Sequence, residues 1–340
     1  MTVARPRIAL VGAGQMGSLH ARVLAQSAEC DFVRVVEPTA ATGRLIADRY
    51  GVEWVPEFDS LRGVDAVVVA AATEAHYDVA TRVIELGRPL LVEKPLALSY
   101  PQSVELVDAA RRGGLPMVCG FLERFNPVVL TARQFVGNVI QINAVRHSPF
   151  VPRISTGVAT DLLIHDADLA IRFTGQAPRA VKCSFGYFHQ PSKQNQAEDS
   201  ADATMSFPSG ALATVSASRI SQRKVRQLSI MELDRLIELD LLRRDITIYR
   251  HVADQPSSDG VGGYQQQTVI EIPTIVHSAE PLAAQLSHFL TLLAFGAGSV
   301  EVQAEWDAIL PAHRVVHDAA VSANDERANE PPSIHRKDAS

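Results

Sequence analysis

The 340 residues are 46% hydrophobic and 21% charged, the balance of a soluble globular chain of about two domains rather than of a disordered one. Thirty-two Lys and Arg against 38 Asp and Glu leave a net charge of −6. No basic run interrupts that acidity, which excludes the concentrated positive face that nucleic-acid binding depends on.

The first apolar run, Ile8–Gly12, follows Arg5 and Arg7 but is cut short by Gly12 and Gly14. It falls below the ~7–15 apolar residues of a signal-peptide core. Further strand-like runs lie at Phe32–Glu37, Ala66–Ala71, Leu90–Glu93 and Met117–Gly120. Helical spacing fills the intervals at Ser18–Ala28, Thr39–Arg49, Ala75–Leu86 and Tyr100–Arg112. Continuous Val, Ala, Ile and Leu without polar alternation is the pattern of strands buried on both faces. Their alternation with helices through short loops predicts an α/β fold over residues 1–121, a doubly wound parallel sheet.

From residue 122 the pattern changes. Residues 158–173 have helical spacing, and strand-like stretches dominate from about 177 to 250, with Phe207–Gly210 as a hairpin turn between Ala201–Ser206 and Ala211–Ser218. Glu280–Phe295 and Ala304–Ala323 return to helical spacing. The prediction for 122–323 is an α+β domain, a mostly antiparallel sheet with helices on one face. Asp254–Gly263 and the tail 324–340 are expected to be mobile. No run reaches the ~18 apolar residues of a membrane span, and Cys30, Cys119 and Cys183 are too scattered for a disulfide framework. A cytoplasmic protein with no membrane partner is expected.

Three motifs carry chemistry. Gly12-Ala13-Gly14-Gln15-Met16-Gly17 is G-x-G-x-x-G between a strand and a helix. Gly12 makes the turn, Gly14 admits a pyrophosphate to the backbone, Gly17 lets helix and strand pack, and the helix N-terminus favours the phosphates. The next strand ends in Glu37, about twenty residues beyond Gly17, where a carboxylate binds both ribose hydroxyls and repels a 2′-phosphate. NAD is therefore expected over NADP. Glu93-Lys94-Pro95 closes another strand, and the proline holds Lys94 extended at the carboxyl edge, where open α/β sheets bind ligands. Asp161, His165 and Asp168, spaced four and three apart, predict one helix face. A carboxylate one turn from an imidazole makes an acid/base unit, although the same spacing suits an ordinary surface cluster. His and Asp at this spacing also suit zinc; no third ligand follows by spacing, and no metal is expected.

Gly12-x-Gly14-x-x-Gly17 with His20, Thr73-Glu74-Ala75-His76, Glu93-Lys94-Pro95 and Gly157-x-x-x-Asp161-x-x-x-His165-x-x-Asp168 occur in this order. Together they resemble the glucose–fructose oxidoreductase/inositol dehydrogenase (Gfo/Idh/MocA) family over roughly residues 5–322. The resemblance implies a Rossmann domain, then a domain with a large open-faced sheet that often forms an oligomer interface, here of a homodimer or homotetramer. It implies NAD(P)-dependent hydride transfer on a sugar or cyclitol, with Lys94 and His165 at the reacting carbon. Cofactor contacts are then expected from Gly12, Gly14, Gln15, Met16, Gly17, Glu37, Thr73, His76, Glu93 and Lys94, and His20 is expected to be a packing residue.

Gly120-Phe121-Leu122-Glu123-Arg124-Phe125-Asn126-Pro127 is similar to a stretch of the family's UDP-N-acetylglucosamine 3-dehydrogenase branch, as are Lys224-Val225-Arg226 and Glu280-Pro281-Leu282. That branch oxidises the C3 hydroxyl of a UDP-amino sugar, and an aminotransferase takes the 3-keto product onward. Met231–Glu238 departs from the family, lacking its usual glycines. Lys94, Arg124, Asn126, Arg146, Asp161 and His165 are the expected substrate contacts, the arginines because a diphosphate suits a guanidinium fork. Asp161 orients His165 as the acid/base while Lys94 holds the same oxygen, and the two roles are exchangeable because a desolvated Lys also titrates near neutrality. Besides the nucleotide-sugar dehydrogenase, an inositol dehydrogenase or keto-sugar reductase stays open. So does a dinucleotide-sensing binding protein without catalysis.

Overall fold

A computed structural model describes residues 5–57, 61–151, 156–253, 266–276 and 279–329. The chain divides into two compact units, residues 1–135 with 274–314 and residues 136–273 with 315–340.

In the first unit β1 (Arg7–Val11), β2 (Asp31–Val36), β3 (Glu53–Val55), β4 (Ala66–Val69), β5 (Leu90–Val92) and β6 (Met117–Cys119) form one sheet in the order β3-β2-β1-β4-β5-β6. All neighbours are parallel. The crossovers carry α1 (Gln15–Gln26), α2 (Ala40–Tyr50), α3 (His76–Glu85) and α4 (Tyr100–Arg112). Every residue of β4 and β5 is fully buried, so the apolar runs reflect strands covered on both sides. The short β3 has no counterpart in the expected elements. Its Trp54 donates from Nε1 to the Glu37 carbonyl at 2.9 Å, and Gly43 on α2 leaves room for the indole, which a Cβ there would strike.

The chain continues through α5 (Pro127–Ala132), capped by Asn126, whose side chain accepts from Val128 N at 3.3 Å. Residues 274–314 return to this unit with α8 (Pro281–Phe295) and the first half of α9 (Val300–Asn329). Trp306, 1% exposed, donates from Nε1 to the Leu115 carbonyl at 3.1 Å.

The second unit holds eight strands in the order β14-β13-β12-β11-β7-β10-β9-β8. These are β7 (Gln141–His147), β8 (Ala180–Gly186), β9 (Ser200–Ser206), β10 (Leu212–Ser218), β11 (Val225–Met231), β12 (Leu236–Asp240), β13 (Asp245–Ala253) and β14 (Gln266–Glu271). Only the β7–β10 pairing is parallel among those described. β9 and β10 are the predicted hairpin, closed by Gly210 at φ +91°. Side chains alternate: Ile142, Ala144, Val215, Leu228 and Ile230 are buried, while Thr204, Thr214 and Gln227 point to the polar face.

The segment predicted as one helix starts as a π-turn, Ala159–Leu163, and becomes α6 (Ile164–Thr174). A short α7 (Gln190–Asn195) interrupts the strand-rich region. α9 runs on to Asn329, past the Ala323 at which its spacing ends, and Glu326 accepts from Ser184 Oγ at 2.7 Å. Residues 324–329 are thus helix rather than tail; 330–340 and the predicted mobile stretch Asp254–Gly263 lie outside the described residues. Among the described residues no helix is long and apolar enough to cross a membrane.

Arg146 on β7 and Asp166 on α6 join sheet to helix by a two-point ion pair, Nε to Oδ2 at 2.7 Å and Nη2 to Oδ1 at 2.8 Å, both side chains 2% exposed. Breaking such a pair strands a buried carboxylate. Arg146→Ala is expected to destabilise the protein by about 3–5 kcal/mol in urea unfolding.

Candidate active site

The glycine-rich turn opens a cleft of about 700 Å³ in the first unit, lined by Gly12, Gly14, Gln15, Met16, Glu37, Glu57 and Ala70–Ala72 among others. Gly12 sits at φ +98°, and a Cβ there would come within 2.5 Å of the Ala70 carbonyl oxygen. A Cβ on Gly17 would overlap the Gly12 carbonyl, whereas at Gly14 it would meet nothing within 4 Å. The turn and the helix packing therefore demand two of the glycines, and the third leaves open space above the start of α1, where a phosphate is favoured.

Glu37 is fixed by two backbone donors, Ala13 N to Oε2 at 2.8 Å and Thr39 N to Oε1 at 2.9 Å. Each carboxylate oxygen retains acceptor capacity, as the hydroxyls of a ribose require. Glu57 adds a second carboxylate, and no Lys or Arg is found among the described lining residues. The cleft fits NAD and disfavours a 2′-phosphate. Thr73 stands half-buried in a 3₁₀ turn, Thr73–Ala75, ahead of α3.

Lys94 lies in a turn fastened from both sides. Glu93, 6% exposed, accepts from His20 Nε2 on Oε1 at 2.7 Å and receives Lys94 N on Oε2 at 3.3 Å. Gly120 makes room for this carboxylate, since a Cβ would come within 2.6 Å of Oε2. The Lys94–Pro95 peptide bond is cis. The Pro95 carbonyl lies 2.7 Å from His76 Nδ1, whose Nε2 lies 3.1 Å from the Ala71 carbonyl. Leu96 N donates to His313 Nε2 at 3.0 Å, and His313 Nδ1–H donates to the Ile309 carbonyl at 2.9 Å. His76, 1% exposed, and Glu93 thus face backbone and histidine partners within the fold. No spacing signal announced His313.

The arginines expected on a diphosphate have carboxylate partners already. Arg124, 3% exposed, reaches Glu305 Oε1 at 3.2 Å and the Ala308 carbonyl at 2.6 Å, and lies 4.6 Å over the Phe121 ring. Arg146 is held by Asp166. Asn126 donates to Glu123 Oε2 at 3.0 Å while capping α5. Lys224 is exposed.

In the second unit, the π-turn carries Asp161 and the first turn of α6 carries His165, both half-buried; Asp168 is 3% exposed. A π-turn closes i→i+5 bonds, so Asp161 does not stand in strict α phase with His165 and Asp168. Glu198 supports the turn: Ala159 N donates to its Oε1 at 2.7 Å, and a Cβ on Gly157 would overlap its carboxylate. Burial raises the Glu198 carboxyl above the usual range, against the Ala159 N–H and the Arg219 charge, which lower it. Glu198 and Arg219 carry no motif signal, and each is remote in sequence from the turn it serves.

A sequence model described as an oxidoreductase family with an NAD-binding Rossmann fold matches residues 6–121, and that of the GFO/IDH/MocA C-terminal domain matches residues 130–231. The chain belongs to the Gfo/Idh/MocA oxidoreductase family. Membership makes it an NAD-dependent dehydrogenase of the Rossmann type. Among its relatives, a UDP-N-acetylglucosamine 3-dehydrogenase of Acidithiobacillus ferrooxidans is 28% identical over 85% of this chain and 88% of its own. A solved structure of that species' enzyme GnnA, at 26% identity, superposes with a TM-score of 0.77 over 94% of this chain and 99% of its own. An inositol 2-dehydrogenase of Rhizobium meliloti is 26% identical over 63% of this chain and 68% of its own.

Glu37→Ala is expected to raise the NADH dissociation constant about tenfold, roughly 1.4 kcal/mol, and to narrow the preference over NADPH. Fluorescence titration with both nucleotides checks this. An unmoved ratio would assign the preference to Glu57.

Proposed function

We propose that this dehydrogenase oxidises a secondary hydroxyl, at C3, of a nucleotide-linked amino sugar such as UDP-N-acetylglucosamine, giving the 3-keto sugar and NADH. The observation that supports this reading is the extent of the likeness to the UDP-N-acetylglucosamine 3-dehydrogenase, which runs through 85% of the chain rather than stopping near the dinucleotide-binding unit. The inositol 2-dehydrogenase likeness supports a second reading, oxidation of an inositol ring.

In the proposed reaction the C3 hydroxyl proton passes to His165 Nε2 or Nδ1 as the C3–H bond breaks and the C3=O bond forms. Nicotinamide, when bound, supplies the hydride acceptor. Asp161 orients His165 and supports the imidazolium, as a carboxylate does for a general base. Lys94 donates a hydrogen bond to the same oxygen and favours its developing negative charge. Its fastened backbone limits the entropy lost in aiming the ammonium. Arg124 and Arg146 are each paired with a carboxylate inside their own unit, and in this reading neither touches a diphosphate.

NADH appearance is measured with NAD and a panel of UDP-sugars, inositols and free sugars, with a 3-aminotransferase and amino donor present to withdraw a 3-keto product. Turnover of UDP-N-acetylglucosamine alone is the expected result. Turnover of inositols instead replaces the substrate and keeps the oxidoreductase. Lys94→Ala and His165→Ala are each expected to lower kcat by about 10²–10⁴-fold, with NADH affinity and melting temperature near wild type. Unchanged turnover in both would overturn the residue roles.

A further inference from the structure

No motif marks Arg219, which follows directly on β10. Its backbone N–H donates to the Asp199 carbonyl at 2.9 Å, and its side chain is 3% exposed. Nη2 donates to the Thr156 carbonyl at 2.6 Å and lies 4.0 Å from Asp161 Oδ2. Nη1 is buried and makes no hydrogen bond to a described residue. A guanidinium stays charged at all working pH values, and burying one is costly unless carboxylates face it. Asp161 and Glu198 do so here. Glu198 is enclosed, whereas the Asp161 side chain is 30% exposed, so Asp161 alone of the pair presents a carboxylate outward.

The same arginine fixes the chain that enters the π-turn. Thr156 is tied to Arg219, Val158 N donates to the Glu198 carbonyl at 3.1 Å, and Ala159 N to the Glu198 side chain. π-Turns recur at functional sites, and this one sets where Asp161 stands relative to His165. We propose that Arg219 is a positioning residue for catalysis: it orients Asp161 at the π-turn, and Asp161 in turn aligns His165. The assignment rests on the proposed function, in which His165 moves the proton.

The full-length enzyme is compared with R219M, R219K, D161N and the R219M/D161N double variant, using the substrate that the panel identifies. R219M is expected to lower kcat about 10–100-fold while leaving KM for NAD within about threefold. R219K restores the charge and recovers most of the loss. The double variant is no slower than D161N, because both losses act through one carboxylate. R219M turnover within twofold of wild type overturns the assignment, as does a multiplicative double variant. So does a lowered melting temperature with undiminished kcat per folded enzyme, the mark of a merely structural arginine. If R219M does not fold, R219Q takes its place in the cycle. Wild-type silence on every sugar overturns the proposed function instead. Hydrogen exchange over residues 156–165 then decides on Arg219 by itself: faster exchange in R219M, restored in R219K, keeps its hold on the turn, and unchanged exchange removes it.

Discussion

The turn Glu93–Leu96 depends on an accounting that every buried strand end must satisfy. Where β5 stops, its backbone groups lose their sheet partners but remain buried, and an unpaired polar group there is destabilising. Two histidines meet the demand directly, His76 of α3 on the Pro95 carbonyl and His313 of α9 on Leu96 N, while His20 of α1 holds the Glu93 carboxylate that accepts from Lys94 N. Imidazole suits the task because its two nitrogens lie on opposite sides of a rigid ring, so that His313 accepts from Leu96 N on Nε2 while donating from Nδ1 to the Ile309 carbonyl. Lys94 is then a cation on a backbone held by hydrogen bonds on both sides.

The second unit reaches a comparable rigidity by charge instead. Arg146 with Asp166 locks the body of α6 to the sheet, while Arg219 and Glu198 hold the backbone of its entry through the Thr156 carbonyl and the Val158 and Ala159 N–H groups. Buried ion pairs contribute little net stability against an apolar replacement, yet breaking one is severe. Their effect is therefore to penalise other arrangements of the helix more than to strengthen this one.

The parallel sheet was legible because burial on both faces leaves unbroken apolar runs, and the dinucleotide turn because Gly12 and Gly17 have no sterically acceptable substitute. β3 was not legible: three residues at a sheet edge are too few to show a period, and Trp54 is fixed by contacts with Glu37 and Gly43 that only the fold supplies. Arg124 and Arg146 show a different limit. A guanidinium fork matches a diphosphate and a buried carboxylate equally well, and the sequence does not say which it meets. The π-turn escaped because the i, i+4 spacing of Asp161 and His165 presumes α geometry. Arg219 and Glu198 escaped because their partners lie tens of residues away.

The departure at Met231–Glu238 can be weighed by where it falls. In the second unit Glu232–Arg235 line a cleft with Gly137–Ile140, Thr174, Gln176 and Ser209. Thr174 ends α6, and His165 stands at its beginning. Nine residues of α-helix at about 1.5 Å each place the two roughly 14 Å apart along the axis. The missing glycines therefore alter the far end of the helix, where Glu232 receives Gly137 N and pairs with Arg235. Glycine would permit a tight reversal between β11 and β12. Here a charged pair and a backbone bond fasten that reversal instead, so the change bears on how the β11–β12 connection is held rather than on the end of α6 that carries His165.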